Sequence, residues 1–110
     1  MPESKALSML GLARRAGKLS MGHDMAVQSV VKRRAKCVII TADASQRLEG
    51  EFDVLIKKHS ICVPIIRIKP TMEEIHFNLG YRAGIMTVDD ENFYTRINTL
   101  LQQEDMIYGS

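Results

Sequence analysis

One hundred and ten residues, 45% hydrophobic and 25% charged, have the size and balance of a single soluble domain and leave little room for a second. The longest apolar runs, Cys37 to Ile40 and Ile61 to Ile66, fall far short of the roughly 20 residues of a membrane span, which excludes an integral membrane protein of the helical kind. The net charge of +2 hides a division: eight Lys/Arg against two Asp/Glu up to Ile40 give +6, and seven against eleven in the remainder give −4.

Met1-Pro2-Glu3-Ser4-Lys5 lacks the charged-then-apolar order of a secretion signal, so the expected compartment is the cytoplasm. From Ser4 to Arg15, Ala6, Leu7, Leu10 and Ala13 recur at helical spacing, and Gly17 ends that helix. A short extended piece, Leu19 to Met21, leads to Gly22. A second helix, expected to reach about Arg34, then buries Ala26, Val27, Val30 and Val31 and shows Asp24, Gln28 and Lys32 to solvent. Cys37 to Thr41 is β-branched and nearly continuous, the pattern of a central strand covered on both faces. Asp43 or Ser45 caps a third helix pinned by Leu48, Phe52, Leu55 and Ile56, and Val63 to Ile68 returns as a strand.

Thr71 and Glu74 form a capping box directly after Pro70, opening a helix with Met72, Ile75 and Leu79 inward that stops at Gly80. A last strand, about Ile85 to Val88, is followed by Asp89-Asp90 as a cap and by Phe93, Ile97, Leu100 and Leu101 as the stripe of a final helix. Alternating helices and strands imply strand-helix-strand crossovers and a three-layer α/β/α sandwich around a small mixed sheet. The expected core spans about residues 4–101 of one domain, and the tail beyond Gln103 is expected to fray.

Little in this chain speaks for catalysis or a cofactor. It has no glycine-rich phosphate loop, no HExxH and no GxSxG. His23, His59 and His76 are scattered, which favours surface or capping roles over metal ligation. Cys37 and Cys62 match no metal or redox spacing and sit in or beside apolar runs, where both are expected as buried packing residues. Asp43 and Ser45 at a strand end are the sole hint of a nucleophile, with no histidine placed by motif to activate it. The cations of the first forty residues suit a polyanion, and equally suit solvated helix ends, where Arg14, Arg15, Arg33 and Arg34 would complement helix dipoles.

The run Gly11-Leu12-Ala13-Arg14-Arg15-Ala16-Gly17-Lys18-Leu19, the glycine opening a helix at Gly22, and the block Ala35 to Ser45 together resemble the ribosomal L-seven-Ae / L-thirty-e superfamily, most closely its small bacterial YlxQ-type branch. The resemblance covers about Ser4 to Leu101. It implies an α/β/α sandwich and RNA binding. Family members that recognise kink-turns carry Gly-x-Asn-Glu-x-x-Lys at the start of the second helix, where free amides attract phosphate and side chains reach sheared G·A edges. The matching positions here are Gly22, Asp24, Met25 and Gln28, so only the glycine is kept. Asp24 brings a negative charge toward phosphate, Met25 cannot accept effectively from a guanine edge, and Gln28 keeps a donor but lacks the charge.

The resemblance also places Tyr81 and Arg82 beside the opening of the second helix, where they either stack on a base and meet a phosphate or form a plain surface turn. The expected function is a non-catalytic binder of structured RNA, ribosomal RNA or the ribosome among the partners, with no cofactor or metal. Its expected contact residues are Arg14, Arg15, Lys18, Gly22, Asp24, Gln28, Lys32, Arg33, Tyr81 and Arg82, with the cations converging on the Gly22 turn. The alternatives are a protein-interaction module of the same fold and, more remotely, a hydrolase or transferase using Asp43 and Ser45. Sequence alone leaves the RNA target and the oligomeric state open.

Overall fold

A computed structural model of the protein describes residues 4–109; residues 1–3 and 110, which carry part of the amino-terminal and tail expectations, lie outside the described range. The chain runs α1 (Lys5–Arg15), β1 (Leu19–Met21), α2 (His23–Val31), β2 (Cys37–Ile40), α3 (Gln46–Lys58), β3 (Ile65–Arg67), α4 (Met72–Leu79), β4 (Ile85–Val88) and α5 (Glu91–Gln103). Four helices begin at a side-chain cap: Ser4, Ser45, Thr71 and Asp90 accept from the amides of Leu7, Leu48, Glu74 and Phe93. Gly80 closes α4 in the left-handed conformation. α2 differs, because its cap Gly22 has no side chain to offer its first amides.

The strands form one mixed sheet in the order β1-β4-β2-β3. β2 pairs parallel with β3, whereas β4 lies antiparallel between β1 and β2, with Val88 opposite both Leu19 and Cys37. Only the β2-α3-β3 crossover therefore joins adjacent strands. Every residue of β2 and β4 is buried, as the unbroken apolar run predicts for strands covered on both faces. Their side chains alternate between two cores. Cys37 and Ile39 pack with Leu10, Ile75, Ile97 and Leu101 of α1, α4 and α5, while Val38 and Ile40 pack with Val30, Phe52 and Ile56 of α2 and α3. The result is the three-layer sandwich expected.

Several local expectations need correction. α2 stops at Val31 instead of about Arg34, because Arg33 is left-handed at φ 62°. The Arg33 amide bonds the Val30 carbonyl (3.0 Å) and the Arg34 amide the Ser29 carbonyl (2.9 Å), the two bonds of a Schellman close. Val31, expected inward, is 40% exposed, and Ser29 is buried in the helix's inner face. Asp90 alone caps α5. Asp89 instead accepts from Ser29 Oγ (2.5 Å) and Thr87 Oγ1 (2.7 Å) on Oδ1 and from Ser20 Oγ (2.5 Å) on Oδ2. The third strand is shorter than Val63 to Ile68. Of the two cysteines, Cys37 is buried and burial pushes its thiol up to about 12, but Cys62 is exposed.

Residues 104–108, expected as part of a frayed tail, are tied back to β3 and to the start of α1. β3 is an edge strand whose outer side needs partners, and the Lys69 amide bonds the Met106 carbonyl (2.8 Å) while the Tyr108 amide bonds the Arg67 carbonyl (2.9 Å). The Glu104 carboxylate accepts from Ser4 Oγ (2.6 Å) and the Lys5 amide (2.8 Å), placing a negative charge at the amino end of α1. No helix among the described residues is long and apolar enough to cross a membrane.

Asp89→Ala leaves three hydroxyls on buried residues without their acceptor and should lower stability by about 3 kcal/mol in urea unfolding, toward the lower end of what three such losses cost. Arg33→Gly should raise stability by about 1 kcal/mol in the same measurement, since glycine takes a positive φ without the Cβ penalty.

Candidate nucleic-acid interface

One end of the sheet is built around Gly22. Its φ of 92° is glycine territory, and its amide bonds the Ile85 carbonyl (2.9 Å), which fixes the start of α2 against the start of β4. The Tyr81 hydroxyl lies over it, 3.6 Å from where a Cβ would stand. Arg14 reaches across from α1: Nη1 donates to the Leu79 carbonyl at the end of α4 (2.8 Å), and the guanidinium lies 5.8 Å from the Tyr81 ring centroid. The end of α1, the opening of α2 and the turn before β4 thus share one surface. Tyr81 stays 47% exposed there.

Acids stand among these cations. His23 lies between Asp24 (3.4 Å from Nδ1) and Glu51, which bonds Nε2, and meets Phe52 edge-on. The bond to Glu51, then that to Asp24, raise its pKa above 6.5 against a smaller opposing effect of burial. Arg82 pairs with Glu73. Arg14, Arg82 and a protonatable His23 are therefore set against Asp24, Glu51 and Glu73, and the Gly22 end carries both signs of charge.

The other expected cations lie elsewhere. The Lys18 carbonyl accepts from the Asp89 amide (2.8 Å), and the Lys36 amide donates to the Val88 carbonyl (2.7 Å), so both flank the far end of β4. α2 crosses between the two ends over about 13 Å, at about 1.5 Å per residue. Lys32 caps its far end, and Arg33 Nη2 donates to the His59 carbonyl after α3 (3.0 Å). Gln28 is exposed along the way, and Arg15 is exposed in the last turn of α1. Of the expected cations, Arg14 lies at the Gly22 turn, whereas Lys18, Lys32 and Arg33 lie toward the other end; Tyr81 stands over Gly22 and Arg82 follows it in the same turn. The reason is the direction of β4, which puts Gly22 beside Ile85 and Lys36 beside Val88.

The two residues considered for a nucleophilic site have structural duties. Ser45 caps α3, and Asp43 Oδ1 accepts from Thr41 Oγ1 and the Met72 amide, both at 3.0 Å. Burial pushes the Asp43 carboxyl up, yet the bonds from Met72 and Thr41 outweigh it and hold the group below the usual carboxylate range. The Arg14–Tyr81 contact was not foreseen as a pair, and neither Arg34 nor Lys36 was included in the expected face.

A model of the ribosomal protein L7Ae/L30e/S12e/Gadd45 family matches residues 4–74. A protein of Enterococcus faecium named RNA-binding protein YlxQ is 40% identical over 98 residues, covering 89% of this chain and 92% of its own. The Bacillus subtilis (strain 168) protein of the same name is 30% identical over 94 residues, covering 84% and 91%. Among solved structures, a protein with unknown function from Bacillus halodurans C superposes with a TM-score of 0.78 at 25% identity, covering 91% of this chain and 99% of that one. The Giardia lamblia 15.5kD RNA binding protein gives 0.65 at 14%, covering 90% and 83%, a likeness of fold alone.

In an NMR titration His23 should turn over above 6.5, and Glu51→Gln should move its midpoint down by removing the acceptor that favours the imidazolium. Because the folded-state value is raised, the stabilisation is fully present below about 6.5 and disappears as pH rises through the folded-state midpoint.

Proposed function

This chain belongs to the ribosomal protein L7Ae/L30e/S12e/Gadd45 family, in its YlxQ branch, and on that footing we propose that it is a non-catalytic, cytoplasmic RNA-binding protein acting on structured RNA, with ribosomal RNA the first candidate. The observation that carries this reading is the meeting of three elements at Gly22. A helix start without a side-chain cap stands beside a half-exposed tyrosine backed by an arginine. Uncapped amides suit a phosphate, the Tyr81 ring suits an unstacked base, and Arg14 holds that ring in place while adding positive charge. The names of the two relatives point the same way.

The departures at Asp24, Met25 and Gln28 support a target other than the simple kink-turn. Each lost base contact costs on the order of 1–3 kcal/mol of discrimination, by analogy with DNA readout, and the Asp24 side chain is almost fully exposed at the place where a phosphate would approach. Backbone contacts position an RNA without reading its sequence, so affinity here outlasts specificity.

Fluorescence anisotropy with a kink-turn hairpin and a straight duplex tests this. Wild type should bind both with similar affinity, and log affinity should fall linearly with log salt. Arg14→Ala with Tyr81→Ala should weaken both by about tenfold, equivalent to about 1.4 kcal/mol. Asp24→Asn, Met25→Glu and Gln28→Lys together should create a preference for the kink-turn. Salt-independent binding, or an Arg14/Tyr81 double variant as tight as wild type, would count against the Gly22 face.

A further inference from the structure

We propose that the turn between α2 and β2, residues 32–36, is a second RNA-binding surface, which holds a single-stranded ribose-phosphate segment across the cleft formed with Cys62, Pro64 and Tyr94. The proposal rests on the RNA-binding reading and adds to it a separate site at the other end of the molecule.

Charge is the first observation. Lys32, Arg33, Arg34 and Lys36 fall within five residues, with Lys18 across β4 from Lys36. Among the described residues none of these five pairs with a carboxylate, whereas Arg82 at the Gly22 end does. Asp89, whose amide bonds the Lys18 carbonyl at this end, is occupied by three hydroxyls, and Glu91 lines the cleft beside Arg33 and Lys36. Five cations without a carboxylate partner among the described residues thus lie away from the Gly22 turn, where Arg14 stands.

Rigidity is the second. The turn is closed by the Schellman bonds, the Ser29 carbonyl also takes the Ala35 amide (3.2 Å), and the Lys36 amide is fixed on Val88. Arg33 occupies the left-handed position that glycine would fill without strain, and its guanidinium is tied to the His59 carbonyl. A cationic turn held this firmly loses little further freedom when an anion binds.

The third observation is the cleft itself, about 380 Å³, lined by Arg33, Lys36, Cys62, Pro64, Glu91 and Tyr94 among others. The Tyr94 phenol, neutral at physiological pH like any ordinary tyrosine, does not repel phosphate. Glu91, which also lines the cleft, disfavours a phosphate inside it and leaves the cleft to a base. The sorting that follows is phosphates on the exposed cations and one base against Tyr94 and Pro64. An aromatic wall beside cations is what single strands require. An acidic peptide would use the cations and leave that wall uncovered.

The test is amide-shift mapping of the full chain by NMR, titrating an oligouridylate of about twelve nucleotides, long enough for one such groove. Expected are saturable shifts at residues 32–36, Cys62, Val63 and Tyr94, alongside those at residues 22–25 and 80–84. Arg34→Gln with Lys36→Gln should weaken the first set about tenfold, spare the second, and reduce the slope of log affinity against log salt by about 1.4, two phosphates at about 0.7 each. An unchanged fingerprint elsewhere in the spectrum establishes that the variant is folded. Shifts confined to the Gly22 set overturn the second surface and leave the RNA-binding reading standing. An absence of shifts in wild type, with this RNA and with the kink-turn hairpin, overturns both. Shifts at residues 32–36 with a polyglutamate peptide but not with RNA overturn the proposal in favour of a protein partner.

Discussion

Asp89 gathers hydroxyls from three elements, Ser20 of β1, Ser29 of α2 and Thr87 of β4, and all three of those residues are buried. Such hydroxyls would be costly in an apolar core without an acceptor, and one carboxylate satisfies them together. Its geometric effect is larger than its share of the contacts. Ser29, near the end of α2, is held by its side chain on Asp89 just after β4, while Gly22 at the helix start is held by its amide on Ile85 of β4, so the helix is tied at both ends of that strand. Everything that lies on α2 or follows from its ends, the Gly22 turn as much as the cationic turn after Val31, inherits its position from these two ties.

The same arrangement separates the charges. In a sheet where β4 ran parallel to its neighbours, the loops that flank it would be dealt out differently. Here the antiparallel strand puts the 80–84 turn beside Gly22 and puts Lys18, Asp89 and Lys36 side by side at the opposite end. One end combines an open helix start, an aromatic ring and mixed charge. The other combines cations with a cleft. The proposed Gly22 surface, with Asp24, Met25 and Gln28 in place of polar base-reading residues, and the cations that lie elsewhere among the described residues fit one proposal, because weaker reading of bases at one place raises the relative weight of backbone contacts at another.

Much of the architecture was legible because its causes are local. Thr71 and Glu74, Ser45 and Asp90 announce helix starts through side chains only three residues from their targets, and the unbroken run from Cys37 needs no tertiary information to read as a covered strand. Part of what differs concerns partners distant in sequence. Arg14 and Leu79 are 65 residues apart, and Ser29 and Asp89 are 60 apart, so neither pairing leaves a trace in any short window. Val31 fits the helical period of α2 but falls where the backbone has begun to close, and Cys62 lies on a connection between elements where apolar neighbours do not ensure burial. The cations were legible as a set and their division between two ends was not, since that depends on strand direction.

The cap that Glu104 places on α1 joins positions 99 and 100 residues apart. Closing a loop of that length is entropically costly before any contact rewards it, and such a contact contributes to a high contact order. During synthesis the first helix emerges early but lacks this acceptor until the end of α5 is also outside the ribosome, and the outer edge of β3 waits still longer for Met106 to Tyr108. The consolidation of α1 and of the β3 edge therefore waits for residues 104–108, a segment made after both.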